Sequence, residues 1–177
     1  MPCRVANGEG LSSVLFTEFD VSKKLRSVKP GTAPGPDGFQ ATLLKHACNS
    51  LALPLAHVYQ SLFNSSIVPK EWKLAKVTPI FKKGKSAEVS NYRPISLTSL
   101  FCKIMESIIK DVILSYLLSK GLISRHQHGF LSRRSTGTQL IDCLNDWTLN
   151  IENKKSLDVI YIDFAKAFDS VVHRKFI

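Results

Sequence analysis

Asp163 closes the run Val159-Ile160-Tyr161-Ile162, whose β-branched and aromatic residues read as a short strand buried on both faces. From Ala165 onward the residues favour a helix. A carboxylate at the end of a buried strand, ahead of a helix start, has its position set by the scaffold and suits metal or phosphate chemistry. An acid that only caps the strand end is the competing reading. Asp169 lies six residues on, not at the two-residue spacing of paired acids on a strand end, and reads as structural. Basic residues could wall such a site: the turn Lys82-Lys83-Gly84-Lys85, Arg93 ahead of Pro94, and the pair Arg133-Arg134. The arginine fork binds phosphate oxygens bidentately, whereas lysine acts as a point charge. A solvated turn is the alternative for the lysines.

Two other motifs fail on spacing. Gly84-Lys85-Ser86 looks like the tail of a phosphate-binding loop, but the glycine required five residues earlier is Pro79. His126 and His128 have no third ligand at a useful spacing.

The positioning elements are mostly helical. Asp20 is the expected cap of a short helix presenting Val21, Lys24, Leu25 and Val28 on one face. Lys29–Gly38 holds three prolines and three glycines, so it reads as a loop of fixed shape, able to present backbone N–H groups to phosphate or to act as a plain connector. Residues 39–49 and 51–64 read as two helices with Leu43, Leu44, Ala47, Leu51, Leu55, Val58, Tyr59 and Leu62 inward and Pro54 in the first turn of the second. Ala75–Phe81 alternates like an edge strand, with Pro79 marking the edge. Leu100, Phe101, Ile104, Met105, Ile108, Ile109, Val112, Ile113, Tyr116 and Leu117 keep helical spacing, the strongest periodic signal in the chain, and Gly121 is the expected C-terminal cap. Ser135 or Thr136 should cap a further helix with Leu140, Ile141, Leu144, Trp147 and Ile151 inward. Residues 1–16 read as an unstructured lead-in.

The net charge of +10, from 24 basic and 14 acidic side chains in 177 residues, points to an anionic partner, nucleic acid ahead of membrane. The four cysteines are scattered singly, which fits reduced thiols rather than a disulfide framework or a zinc site. No apolar run is long enough to span a bilayer.

Five stretches in register resemble one family: A-P-G-P-D-G at 33–38, P-K-E-W-K-L-A-K-V-T-P-I-F-K-K-G at 69–84, N-Y-R-P-I-S-L at 91–97, Q-H-G-F-L-S-R-R-S-T at 127–136 and Y-I-D-F-A-K-A-F-D-S-V at 161–171. Their order and spacing resemble the reverse transcriptase domain of non-LTR (LINE-type) retrotransposons from about residue 16 onward. The resemblance implies a helix-rich α+β fold, a partial right hand in which residues 17–156 are fingers and first palm helices. Residues 157–177 would be the first catalytic strand and helix of the palm. It also implies RNA-directed DNA synthesis on an RNA template and DNA primer with deoxynucleotide substrates, and a nuclear and cytoplasmic location.

On the same ground Asp163 is a shared ligand of two Mg²⁺ ions and Phe164 offers its backbone carbonyl. Lys166 and Ala167 present backbone N–H groups to the triphosphate, and Phe168 lies beneath the incoming sugar and excludes a 2′ hydroxyl, a core-facing helix residue being the alternative there. Lys82, Lys83 and Arg93 grip the triphosphate. Arg133 and Arg134 contact template backbone, although the family usually carries glycine where Arg133 stands, so the added side chain is expected to crowd a tight turn. The family's second carboxylate pair is Asp-Asp, and no Asp-Asp occurs in these 177 residues. The chain stops at Ile177 inside a predicted helix, so a truncated domain, inactive alone, is expected. A non-catalytic nucleic-acid-binding module using the basic fingers is the second reading, and a helical scaffold with a merely solubilising charge the third.

Overall fold

The computed structural model describes residues 11, 13–164, 167 and 172. The chain divides into two compact units, Met1–Leu122 and Ile123–Ile177.

In the first unit, helix α1 (Glu18–Ser27) starts at Thr17, whose Oγ1 accepts from the Asp20 amide at 3.1 Å and donates to Asp20 Oδ2 at 2.6 Å. The cap is therefore Thr17, not Asp20; Asp20 sits one turn in, where its charge also faces the positive helix end. Helices α2 (Ala41–His46) and α3 (Cys48–Asn64) follow. Because α3 begins at Cys48, Pro54 lies in its second turn rather than its first. Cys48, Ala52, Ala56 and Tyr59, at steps of four, four and three, line the inner face of α3, while the expected core residues Leu43 and Val58 are exposed. Small residues inward let α1 pack close against α3, and α1 in turn packs on α4 (Leu100–Ser119).

The core joins these helices through Val21 and Leu25 of α1, Leu44 of α2, and Leu100, Ile104, Met105 and Ile108 of α4. Tyr59 is fully buried and donates its hydroxyl to the Phe101 carbonyl at 3.0 Å. Trp72, from a 3₁₀ turn at Lys70–Lys73, meets the Tyr59 ring edge-on at 6.1 Å. The expected unstructured lead-in is corrected over its last residues. Val14 and Phe16 are 3% and 5% exposed. Gln60 ties this segment down, accepting from the Phe16 amide and donating to the Val14 carbonyl.

Strands β1 (Lys76–Phe81) and β2 (Tyr92–Leu97) form an antiparallel hairpin, the only sheet among the described residues. β1 was legible in the sequence and β2 was not. Helix α4 ends with Gly121 in the left-handed region at φ +63°, and the Leu122 and Gly121 amides bond back to Leu117 and Leu118, as a glycine cap should. No described helix is long and apolar enough to cross a membrane.

The second unit holds α5 (Thr136–Glu152), capped by Ser135. Ser135 Oγ accepts from the Thr138 amide while Thr138 Oγ1 accepts from the Ser135 amide, so two otherwise orphaned donors are satisfied. Its apolar face is not covered: Leu140, Ile141, Leu144 and Ile151 are exposed, against the expectation, because no described element of this unit lies across them. The run 157–162 is not a strand either. β1 and β2 pair only with each other, so this run has no ladder partner among the described residues, and Ile160, Tyr161 and Ile162 are 83%, 83% and 76% exposed. The observed architecture is mixed helix and strand, helix-rich, with one small sheet.

Candidate nucleotide and nucleic-acid interface

The hairpin in the first unit carries three of the expected basic residues, Lys82, Lys83 and Arg93. Lys76, Thr78 and Ile80 pair with Leu97, Ile95 and Arg93, and Phe81 pairs with Tyr92. Cross-strand partners share a face and neighbours alternate, so Lys76, Ile80 and Arg93 lie on one face. The Lys82 amide donates to the Asn91 carbonyl at 2.8 Å, which extends the ladder one step and brings Lys82 onto that same face. The opposite face carries Phe81 and Tyr92 in edge contact, ring centres 5.5 Å apart.

The register also explains two prolines in a two-stranded sheet. Pro79 faces Pro94. Since 82 and 91 exchange a ladder bond, the facing positions three steps away, 79 and 94, belong to the alternate class that needs no N–H.

The tip between the strands is built rather than loose. The Asn91 side-chain amide donates to the Lys85 carbonyl at 2.9 Å and to Glu88 Oε2 at 3.2 Å, and the Tyr92 hydroxyl donates to the Ser86 carbonyl at 2.9 Å. Gly84 adopts φ +93°, and a Cβ there would stand 2.6 Å from the Asn91 side chain. These bonds fix the backbone under Lys82, Lys83 and Lys85, whose side chains are exposed along with that of Arg93. Asn91 and Tyr92 are thus the residues that shape this tip. The sequence offered one signal for them, a polar and an aromatic residue directly ahead of Arg-Pro.

In the second unit the loop 124–135 wraps the start of α5. The Arg134 guanidinium donates from Nη1 to the Arg125 and Gln127 carbonyls, so part of it holds the loop. Arg133 is exposed with φ +62°, a left-handed position that disfavours a side chain, in accord with glycine being usual there. His128 is buried between Thr138 Oγ1 at 2.9 Å and Asp142 Oδ2 at 3.0 Å. An ionised Asp142 only accepts, which puts a proton on Nε2. His128 ties the loop to α5, and no three His, Cys, Asp or Glu side chains converge among the described residues.

Asp163 and Phe164 are exposed and lie in irregular chain rather than at a strand end. Ala167 is an exposed turn residue, while Lys166 and Phe168 lie outside the described residues, as does Asp169. The expected donor set for paired Mg²⁺ ions is therefore not brought together among the described residues.

The family model described as reverse transcriptase (RNA-dependent DNA polymerase) matches residues 80–177, more than half of the chain. This chain belongs to the reverse transcriptase family. The match begins at Ile80 in β1 and so takes in Lys82, Lys83, Arg93, the 124–135 loop and Asp163. Among relatives, the chain is 29% identical over 155 residues to the probable RNA-directed DNA polymerase from transposon BS of Drosophila melanogaster, covering 87% of this chain and 17% of that protein. It is 32% identical over 164 residues to the RNA-directed DNA polymerase from mobile element jockey of the same species, covering 92% and 18%. It is 28% identical over 158 residues to the retrovirus-related Pol polyprotein from type-1 retrotransposable element R2 of Popillia japonica, covering 87% and 20%. These non-LTR elements extend the similarity ahead of Ile80, through most of the chain. The chain spans about a fifth of the length of the curated relatives it matches.

Proposed function

We propose that these residues are the fingers and the opening of the palm of a retrotransposon RNA-directed DNA polymerase. Residues 17–156 are the fingers and first palm helices, and 157–177 the first catalytic segment of a right-hand fold. The partners are an RNA template, a DNA primer and deoxynucleoside triphosphates. The observation that carries the reading is the β1–β2 hairpin, with Lys82 and Arg93 on one face above a tip fixed by Asn91 and Tyr92.

In this role Arg93 binds triphosphate oxygens through its fork, and Lys82 and Lys83 add point charges at the tip. Arg133 and Arg134 face template backbone. Asp163, with the Phe164 carbonyl, would supply some of the oxygen donors for Mg²⁺, which when bound would neutralise phosphate charge. Lys166 and Ala167 offer backbone N–H groups to the triphosphate, and Phe168 screens the sugar. One carboxylate does not hold two such ions, so these 177 residues alone do not polymerise.

The second reading is a nucleic-acid-binding module without chemistry, and the exposed, strandless segment around Asp163 favours it. Fluorescence anisotropy with a labelled RNA–DNA template–primer tests both against a scaffold role. Binding that weakens steeply with salt and is lost in a Lys82→Ala/Lys83→Ala/Arg93→Ala variant supports an anionic partner at the hairpin. Salt-independent or absent binding contradicts it. Asp163→Ala separates the first two readings, since only a metal-dependent grip on primer and nucleotide responds to it.

A further inference from the structure

The stretch Lys29–Gly38 has no role in the reading above, yet the fold fixes it firmly. Gly35 is buried against the start of α4, and a Cβ there would lie 2.6 Å from the Thr98 carbonyl carbon and oxygen and 2.7 Å from the Ser99 nitrogen. Only glycine allows this approach. The Thr32 amide bonds to the Lys29 carbonyl at 3.0 Å, closing a tight turn over Pro30 and Gly31. The loop is thereby held across the gap between the end of α1 and the first turns of α4.

A cavity of about 200 Å³ lies in that gap, lined among others by Lys24, Lys29, Thr32, Leu100, Lys103 and Ser107. Its charge is uneven. Lys24 is neutralised by Asp111, Nζ to Oδ2 at 2.5 Å. Lys29 and Lys103 have no carboxylate within ion-pair distance among the described residues. Glu106, one turn beyond Lys103, is engaged with Cys102 Sγ at 3.4 Å. The Ser107 hydroxyl donates to the Ile104 carbonyl at 2.9 Å, so its proton is already used. Lys29 and Lys103, neither paired with a carboxylate among the described residues, thus line one recess together with Thr32 and the apolar Leu100 and Ile104.

The volume limits the occupant. Pockets that enclose a whole small ligand run from roughly 300 Å³ upward. At about 200 Å³ this recess takes a group, not a nucleotide. An anionic group belonging to a longer chain matches both the size and the +10 charge of the molecule. A flexible single strand can bend a phosphate into a recess, whereas a stiff duplex presents its phosphates on a smooth cylinder.

We propose that the recess between α1, the Lys29–Thr32 turn and α4 binds one phosphodiester of a single-stranded nucleic acid, held by Lys29 and Lys103. The site is separate in sequence and element from the hairpin, and it rests on the chain engaging nucleic acid at all.

The test is anisotropy with a labelled single-stranded RNA of about 20 nucleotides, titrated between about 50 and 200 mM salt. Lys29→Gln/Lys103→Gln should weaken binding by about tenfold at the lowest salt and make the slope of log affinity against log salt shallower by about 0.7, the value of one single-strand phosphate contact. Lys45→Gln/Lys120→Gln removes the same charge elsewhere in the first unit and should cost less than about twofold. Equal losses in the two variants reduce the effect to net charge and overturn the site. A double variant indistinguishable from the unmodified chain also overturns it. Calorimetry with inorganic phosphate at matched ionic strength separates the sources. Phosphate binding that Lys29→Gln/Lys103→Gln abolishes, with RNA affinity untouched, assigns the recess to a free anion and overturns the proposal. No RNA affinity in the unmodified chain defeats the nucleic-acid reading as a whole, whereas RNA binding that ignores only this variant defeats this site alone.

Discussion

Cys102 shows how one residue's environment sets its chemistry. Burial, with the neighbouring Glu106 carboxylate that accepts the thiol proton as a smaller cause, pushes its thiol up to about 12 from an ordinary 9.0. Thiolate is the reactive form, so Cys102 should resist iodoacetamide at pH 8 in the folded chain. Half-buried Cys143 should react ahead of Cys102; native-state labelling of Cys102 at the same rate, read by peptide mass mapping, would contradict the packing of α4. Tyr59 is likewise raised by burial, with Cys102 as a smaller cause. Both groups favour the protonated form when folded, so their contribution is intact below the ordinary thiol and phenol values and is lost as pH rises through the raised ones. The urea midpoint of the first unit should hold from neutral pH to about 9 and fall above it. Arg133 is the opposite case, a residue at odds with its backbone. At φ +62° it costs about 1 kcal/mol relative to glycine. Arg133→Gly should slow hydrogen exchange of the loop amides by about fivefold, and faster exchange would mean that the side chain's contacts outweigh the strain.

At the scale of elements, the ends of helices decide more than their middles. α3 and α5 close as α4 does. Ile67 and Ser66 bond back to Leu62 and Phe63, and Lys155 and Lys154 bond back to Asn150 and Ile151. The left-handed positions are Ser66, Gly121 and Lys154. Ser66→Gly should therefore raise the stability of the first unit by about 0.5–1 kcal/mol, seen as a higher urea midpoint. Only the Gly121 cap was legible in the sequence, because serine and lysine carry no signal for that conformation. α4 was read correctly from its unbroken apolar spacing. α5 was read correctly as a helix and wrongly as a buried one, because periodicity reports which face is apolar, not whether anything covers it. β2 went unread because Arg93-Pro94 interrupts the period-two pattern; only the register, with Pro94 opposite Pro79, makes it a strand. The tip of the hairpin depends on Asn91. Asn91→Ala should speed exchange of the Lys82 amide by about tenfold and weaken template–primer binding without touching a charge. Unchanged exchange would mean the tip is not held by that side chain.

For the molecule as a whole, the basic residues named by resemblance fall on defined structure. Lys82, Lys83 and Arg93 sit on one hairpin, and Arg133 and Arg134 on one loop capping α5. The carboxylate side was legible only as sequence. Asp163 follows an apolar run that would be a strand if a ladder partner lay beside it, and among the described residues none does. In the proposed reading the chain carries a phosphate-gripping hairpin and Asp163 as its candidate metal carboxylate. The most direct test is primer extension on an RNA template by the purified 177-residue chain with Mg²⁺ and deoxynucleoside triphosphates, run beside template–primer binding. The expected result is salt-sensitive binding that needs Lys82, Lys83 and Arg93, with no added nucleotide. Mg²⁺-dependent extension that Asp163→Ala abolishes would contradict it, and would mean that a complete metal site assembles from residues this account leaves out.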